Sequence, residues 1–201
     1  MKLYWAPRTR SIRILWMLEE TGCAYERVLI DIWSGAQASS EYHAINPMEK
    51  MPALVDGDAT VAESAAICAY IADRYPAAGL APSTGDAARG RYLQWLFFSA
   101  GCVEPAYMEK VMGWKTQSTR AGWGDFDRVI GVLEDALAQG EWILGDRFSA
   151  ADVMLGGVLH YGLNILKIVE PRPAIEAYVA RCAARPALQR ALAIEAEAVG
   201  A

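Results

Sequence analysis

A proline opens a short apolar strand at Met51-Pro52-Ala53-Leu54-Val55, and few folds have room for one there. Proline has no N–H to give a sheet ladder, so it is confined to strand starts, edges and bulges. Asp56-Gly57-Asp58 then signals a turn and Thr60-Val61-Ala62 a second short strand, which together predict a β-hairpin. Glu63-Ser64 forms a helix-capping pair before the apolar run Ala65–Tyr75, and Pro76 stops that helix. A bent loop, a hairpin and a capped helix start put unpaired backbone groups and two polar side chains on one ledge. Such a ledge suits a peptide-like ligand.

The segments before it supply the rest of a sheet. Lys2–Ala6 reads as a buried first strand, and Pro7-Arg8-Thr9-Arg10-Ser11 as a loop ending in Ser11 as helix N-cap. Ile12, Leu15, Trp16 and Glu19 follow at helical spacing, and Gly22 suits the residue after the helix end. Glu19 and Glu20 oppose the dipole at that end, so partners for them are expected elsewhere. Tyr25–Ile30 reads as a buried parallel strand and Ser34–Ala44 as a weak helix or loop. The order is β-α-β, a poorly formed helix, a β-hairpin and a helix. It predicts a mixed four-stranded sheet with helices on both faces.

Beyond a Pro-, Gly- and Ser-containing stretch, every convincing segment is helical. The reading divides the chain into an α/β domain over residues 1–77, a linker over 78–86 and an all-α bundle over 87–201. Arg89–Met112 reads as one long helix kinked at Pro105, and Asp125–Ala138 as the next. Ser149-Ala150-Ala151-Asp152 forms a capping box before Val153–Ile165, whose lack of a polar face marks it as the buried central helix. Pro173–Ala183 and Pro186–Ala196 each begin with a proline, as first-turn statistics favour.

Composition narrows the function classes. The chain has 201 residues, enough to bury a substantial core, and a net charge of -5, which argues against nucleic acid as the partner. No apolar run approaches the roughly 20 residues of a membrane span, and no leader-like segment opens the chain. Cys23, Cys68, Cys102 and Cys182 are scattered and only His43 and His160 could join them, so no metal spacing is present. These features predict a cytoplasmic protein with reduced thiols.

Four motifs, in order along the whole chain, carry a resemblance. Asn46-Pro47-Met48-Glu49-Lys50-Met51-Pro52-Ala53-Leu54 resembles the Asn-Pro-x-Gly-Lys-Val-Pro-x-Leu of the cytosolic glutathione S-transferases. Glu63-Ser64-Ala65-Ala66-Ile67 is similar to their Glu-Ser-x-Ala-Ile. Phe148–Asp152 resembles the capping box of their central bundle helix, and Arg185-Pro186-Ala187-Leu188 the start of their last helix. The resemblance implies a thioredoxin-like first domain (βαβαββα) with a cis peptide before Pro52, and a helical-bundle second domain. It implies glutathione as co-substrate without a metal, a hydrophobic electrophile as second substrate, and a homodimer. Met51 offers its backbone to the cysteinyl part of the tripeptide, as an added antiparallel strand does, beside Pro52. Glu63 and Ser64 take the γ-glutamyl end, and Lys50 or His43 the glycyl carboxylate. Glu49, where the family has glycine, sets a carboxylate beside that last position.

Glutathione chemistry needs a thiolate near neutral pH, and a free thiol titrates near ~8.5. Lowering that by ~2 units needs about 2.7 kcal/mol of preference for the anion. A charge-assisted hydrogen bond of ~1.5–3 kcal/mol and a helix N-terminus of ~0.3–1 kcal/mol together suffice. By the resemblance, Thr9 falls at the serine position of theta- and delta-like enzymes, and Arg10 where the bacterial beta class has cysteine. Thr9 is the first candidate donor and Ser11 the second, with Arg8 and Arg10 adding positive potential. Without a cysteine in the loop, addition or substitution is expected rather than disulfide exchange. The second-substrate pocket is expected at Tyr107, Met108, Met112 and Trp114. Glutathione-dependent isomerisation, dehalogenation or peroxide reduction, and a non-catalytic binding role, are the alternatives.

Overall fold

The computed structural model describes residues 1–200. It divides into two compact units, residues 1–78 with 186 onward, and 79–185. In the first unit the strands are β1 (Lys2–Trp5), β2 (Glu26–Leu29), β3 (Ala53–Asp56) and β4 (Ala59–Ala62). They form one sheet in the order β2-β1-β3-β4, with β1 and β2 parallel and the other two pairs antiparallel. Helices α1 (Ser11–Thr21), α2 (Ser40–His43) and α3 (Ser64–Arg74) connect them, and α9 (Pro186–Gly200) completes the unit. This is the mixed four-stranded sheet that the sequence predicts, with the thioredoxin-like topology that the resemblance implies. The Met51–Pro52 bond is cis.

Leu3, Trp5, Ile14, Leu15, Leu54, Ile67 and Ile71 are buried in this unit's core. At ~1.5–3 kcal/mol each, such burial dominates what holds the sheet to its helices. Helix α1 ends as expected, with Gly22 at φ 65° returning its amide to the Leu18 carbonyl at 3.2 Å. Strand β2 departs from expectation. Val28-Leu29-Ile30 reads as a buried run, but β2 is an edge strand, and Glu26, Arg27 and Leu29 are exposed. Apolar content alone does not reveal a strand's position in the sheet.

The last helix also departs from expectation. Read from sequence as part of the bundle, α9 instead packs along α1, burying Ala187 and Ala191. Small side chains let two helix backbones approach closely, and charged contacts at the rim fix the register. Arg190 Nε lies 2.7 Å from Glu19 Oε2, while Tyr25 donates to Glu19 Oε1 at 2.8 Å and Trp16 Nε1 to Glu20 Oε1 at 2.8 Å. The two acids at the end of α1 thus have partners.

The second unit is helical: α4 (Ala88–Phe98), α5 (Glu104–Met112), α6 (Phe126–Leu137), α7 (Ala150–His160) and α8 (Pro173–Ala183). Arg89–Met112 is not one unbroken α-helix. A wide π-type turn over Ser99–Val103 joins α4 to α5, and Pro105 sits in the first turn of α5, where its missing N–H costs nothing. Helix α7 is buried along most of its length and opens on the expected box. The buried Asp152 carboxylate accepts the Ser149 amide at 2.8 Å, the Ile143 amide at 2.9 Å and the Tyr178 hydroxyl at 2.9 Å. Leu80, in the connecting stretch, is buried and its carbonyl takes the Ala150 amide at 2.8 Å.

Candidate functional site

Sheet register gathers the candidate residues at one end of the first unit. Tyr4 pairs with Ala53 and Ala53 with Ala62. The chain leaving β1 toward Pro7–Arg10, the chain entering β3 through Met51-Pro52, and the chain leaving β4 into Glu63-Ser64 therefore meet at the same end of the sheet.

The β1–α1 loop is closed by a small hydrogen-bond network. Thr9 Oγ1 lies 2.6 Å from the Ala6 carbonyl, 2.8 Å from Ser11 Oγ and 3.1 Å from the Ser11 amide. The Ala6 amide donates to Ser11 Oγ at 3.3 Å. A carbonyl can only accept, so the single Thr9 proton goes to Ala6. Ser11 then donates its own proton to Thr9, and both hydroxyl protons point into the loop. Ser11 has no exposed surface while Thr9 is partly exposed. This removes Ser11 as a direct donor to any ligand: it is the first residue of α1, not its cap, and its hydroxyl ties the loop together. Arg10, at the cap position, is exposed. Arg8 has φ 59°, unusual for a residue with a Cβ, and its amide donates to Glu195 Oε1 of α9 at 2.8 Å.

The Asn46–Pro52 segment is braced from beneath. The Lys50 carbonyl accepts from the Tyr42 hydroxyl at 2.6 Å and from Asn46 Nδ2 at 2.8 Å, and Asn46 Oδ1 takes the Met48 amide at 3.1 Å. Tyr42 is buried, which pushes its phenol up to about 12 and keeps it a neutral donor. In a trans peptide unit the amide points opposite the carbonyl. Fixing the Lys50 carbonyl therefore turns the Met51 amide the other way, and no hydrogen bond to that amide or to the Met51 carbonyl occurs among the described residues. Lys50 is exposed.

Glu63 has φ 68° and ψ 119°, an unusual conformation for a side-chain-bearing residue, immediately before α3. Strain of this kind, ~1–3 kcal/mol, is characteristic of ligand clamps. It leaves Glu63 exposed and Ser64, 9% exposed, as the first residue of the helix. Amides at a helix start favour an anion. Glu49 also takes a positive φ, 55°, which explains a family preference for glycine there. Its Oε1 lies 3.0 Å from His43 Nδ1, so His43 is engaged with Glu49, and the extra carboxylate has a partner.

Burial disfavours the thiolate at Cys68 and Cys102. Burial pushes the Cys68 thiol up to about 12 although Arg13 opposes this, and Cys102 is raised by burial as well. Among the described residues no three His, Cys, Asp or Glu side chains converge as metal ligands.

The family model for the glutathione S-transferase N-terminal domain matches residues 1–73, and the model for the C-terminal domain matches residues 116–181. Glutathione S-transferase 3 of Zea mays is 31% identical over 96% of this chain and 93% of its own length. This chain belongs to the glutathione S-transferase family. A sphingomonad glutathione S-transferase solved in complex with glutathione matches with a TM-score of 0.81 at 31% identity, over 98% of this transferase and 99% of that chain. A bacterial transferase, BphK, solved as a ternary complex, matches with a TM-score of 0.82 at 29% identity, over 98% and 100%.

The residues expected in the second-substrate pocket of this transferase do not behave alike. Tyr107 is 3% exposed and packs so closely on Gly162 that a Cβ there would lie 2.3 Å from its hydroxyl oxygen. It is a core residue, because its place on α5 faces the bundle. Met108, Met112 and Trp114 are 42%, 57% and 52% exposed. Sequence reasoning did not find Tyr42, Asn46 or Glu195 as supports of the site. Asn46 lies within the recognised motif, but nothing local marks Tyr42 or Glu195.

Proposed function

We propose that this transferase binds glutathione at this end of the sheet and stabilises its thiolate for attack on an electrophilic carbon. The observation that carries the reading is the Met51 amide, turned away from the braced Lys50 carbonyl beside a cis proline, with neither it nor the Met51 carbonyl bonded among the described residues. The cysteinyl part of the tripeptide pairs with them as an added strand. Its γ-glutamyl carboxylate takes the amide and hydroxyl of Ser64, its ammonium takes Glu63, and its glycyl carboxylate takes Lys50. The His43–Glu49 pair borders the glycyl end.

Thr9 is the hydroxyl that reaches the sulfur. The move needs only rotation of the O–H away from the Ala6 carbonyl, with the oxygen held in place by Ser11. Losing a neutral hydrogen bond costs ~1 kcal/mol, while donation to a thiolate returns ~1.5–3 kcal/mol. The exchange favours the anion. Arg10 and the amides at the start of α1 add positive potential. The sulfur attacks the electrophilic carbon, forming a C–S bond as the leaving group departs with its electron pair, or as a conjugated acceptor takes the pair and then a proton.

A hydrophobic electrophile has two candidate surfaces, each within its own unit. One is the exposed set Met108, Met112 and Trp114. The other is a cleft of about 380 Å³ lined by Pro7, Arg8, Leu29, Trp33 and Val199. The expected assembly is a homodimer with α3 and the long Arg89–Met112 segment (α4 and α5) as candidate interface helices, which sedimentation at micromolar concentration tests. No helix is long and apolar enough to cross a membrane among the described residues, in keeping with a cytoplasmic role.

A second reading, glutathione binding without catalysis, is favoured by the inward-pointing Thr9 and Ser11 protons. Calorimetry with glutathione, followed by conjugation of an aryl halide, separates the two. Binding heat with conjugation supports the enzyme, and binding heat alone supports the second reading. No heat and no thermal shift at millimolar glutathione overturns both.

A further inference from the structure

We infer that Glu195 of α9 is a positioning residue for the loop that carries Thr9, so the far end of the chain sets how that loop receives a ligand's sulfur. This rests on the reading that the Thr9 loop stabilises the glutathione thiolate. Arg8 precedes Thr9 and has φ 59°. Backbone in that region persists in a residue with a Cβ only where its surroundings hold it. The Glu195 carboxylate supplies such a hold, accepting the Arg8 amide at 2.8 Å across 187 residues of sequence. An ionised acceptor makes a stronger bond than a neutral one, and this one is mounted on a helix. Arg190 fixes that helix in turn, with Nη2 2.8 Å from the Glu19 carbonyl and Nε 2.7 Å from its carboxylate. The loop is thus gripped from within by Thr9, Ala6 and Ser11, and from outside by α9.

Positioning and simple charge predict opposite signs. A carboxylate near a thiolate disfavours the anion, so as a bare charge Glu195 raises the bound thiol's pKa. As a positioning group it lowers that pKa, by keeping Thr9 and the first amides of α1 in register with the sulfur. Ultraviolet absorbance of the thiolate, titrated with glutathione bound to the full chain, reads the difference. In Glu195→Ala the bound thiol is expected to titrate higher by about 0.5–1 unit, leaving about three- to tenfold less thiolate below its pKa. Glu195→Gln keeps an oxygen acceptor and is expected to stay within about twofold of the wild type on that scale. Arg190→Ala loosens α9 without touching Arg8, and is expected to lower the melting temperature while shifting the titration by clearly less than Glu195→Ala does. A lowered or unchanged pKa in Glu195→Ala overturns the inference, as does an equal shift in Arg190→Ala. If wild-type protein binds glutathione without depressing its thiol pKa, the functional reading fails first and this inference fails with it.

Discussion

Arg190 on the last helix grips Glu19 on the first by both its carboxylate, at 2.7 Å, and its backbone carbonyl, at 2.8 Å. The contact satisfies a carbonyl near the end of α1 and neutralises an acid that the helix dipole disfavours there. It gives the negative end of α1 the cation it lacks locally, since the last turn contains no basic residue.

Replacing Thr9 by alanine removes the donor proposed for the thiolate. Rotation away from Ala6 costs ~1 kcal/mol of the ~1.5–3 kcal/mol that donation returns, so losing the net ~0.5–2 kcal/mol corresponds to about a 2- to 30-fold fall in kcat/KM below the thiol pKa, shrinking at higher pH as the thiolate forms unaided. Thr9→Ser should retain most of the rate. Rates equal to wild type across pH 6–8 in Thr9→Ala would show that another group activates the sulfur.

Tyr42→Phe removes the 2.6 Å bond that orients the peptide between Lys50 and Met51. Asn46 still holds the same carbonyl at 2.8 Å, so the fold should survive with a loss of ~1 kcal/mol. Glutathione affinity is expected to weaken several-fold by calorimetry, with kcat for a saturated enzyme changing less than KM. A fall in kcat at constant KM would contradict a role in binding.

Asp56 carries a pH-dependent share of stability. A hydrogen bond from the Tyr70 hydroxyl at 3.0 Å, then the Arg74 guanidinium at 3.3 Å, hold its carboxyl below the ordinary carboxylate range. A depressed pKa means that the folded state favours the ionised form. The stabilisation is therefore complete above the unfolded-state pKa of ~3.9 and is lost as pH falls through the lower folded value. Urea unfolding should find Asp56→Asn less stable than wild type at pH 7, with the gap closing toward pH 3.

Asp152→Ala should be the most damaging of these substitutions. It strands the Ser149 and Ile143 amides and the Tyr178 hydroxyl in the interior of the bundle. At ~1–3 kcal/mol for each abandoned group, a loss above ~3 kcal/mol is expected. Denaturant unfolding measures it, and a loss under 1 kcal/mol would show that water replaces the carboxylate.

Local chemistry made the ledge legible. Proline's missing donor announced the head of β3, and a polar pair before an apolar run announced the start of α3. The Ser149–Asp152 box was readable for the same reason, since its partners are three residues apart. What stayed hidden was set by distant packing. Val28 and Leu29 do not reveal whether a further strand covers β2, and Tyr107 does not reveal that Gly162 leaves room for its ring. Ser11 has the composition of a cap, but the carbonyl and hydroxyl around it drew it inside the loop and left Arg10 at the helix boundary. Glu195 is an unremarkable acid in a helix until α9 is laid on α1.

The return of α9 to the first unit has a consequence for biosynthesis. The ribosome completes β1 to α3 long before it reaches Glu195, so Arg8 must wait through the translation of the whole intervening bundle for its acceptor. The loop proposed to meet the thiol is among the first segments made and among the last to be finished. A nascent chain arrested after the bundle carries the glutathione ledge without the outside brace on that loop.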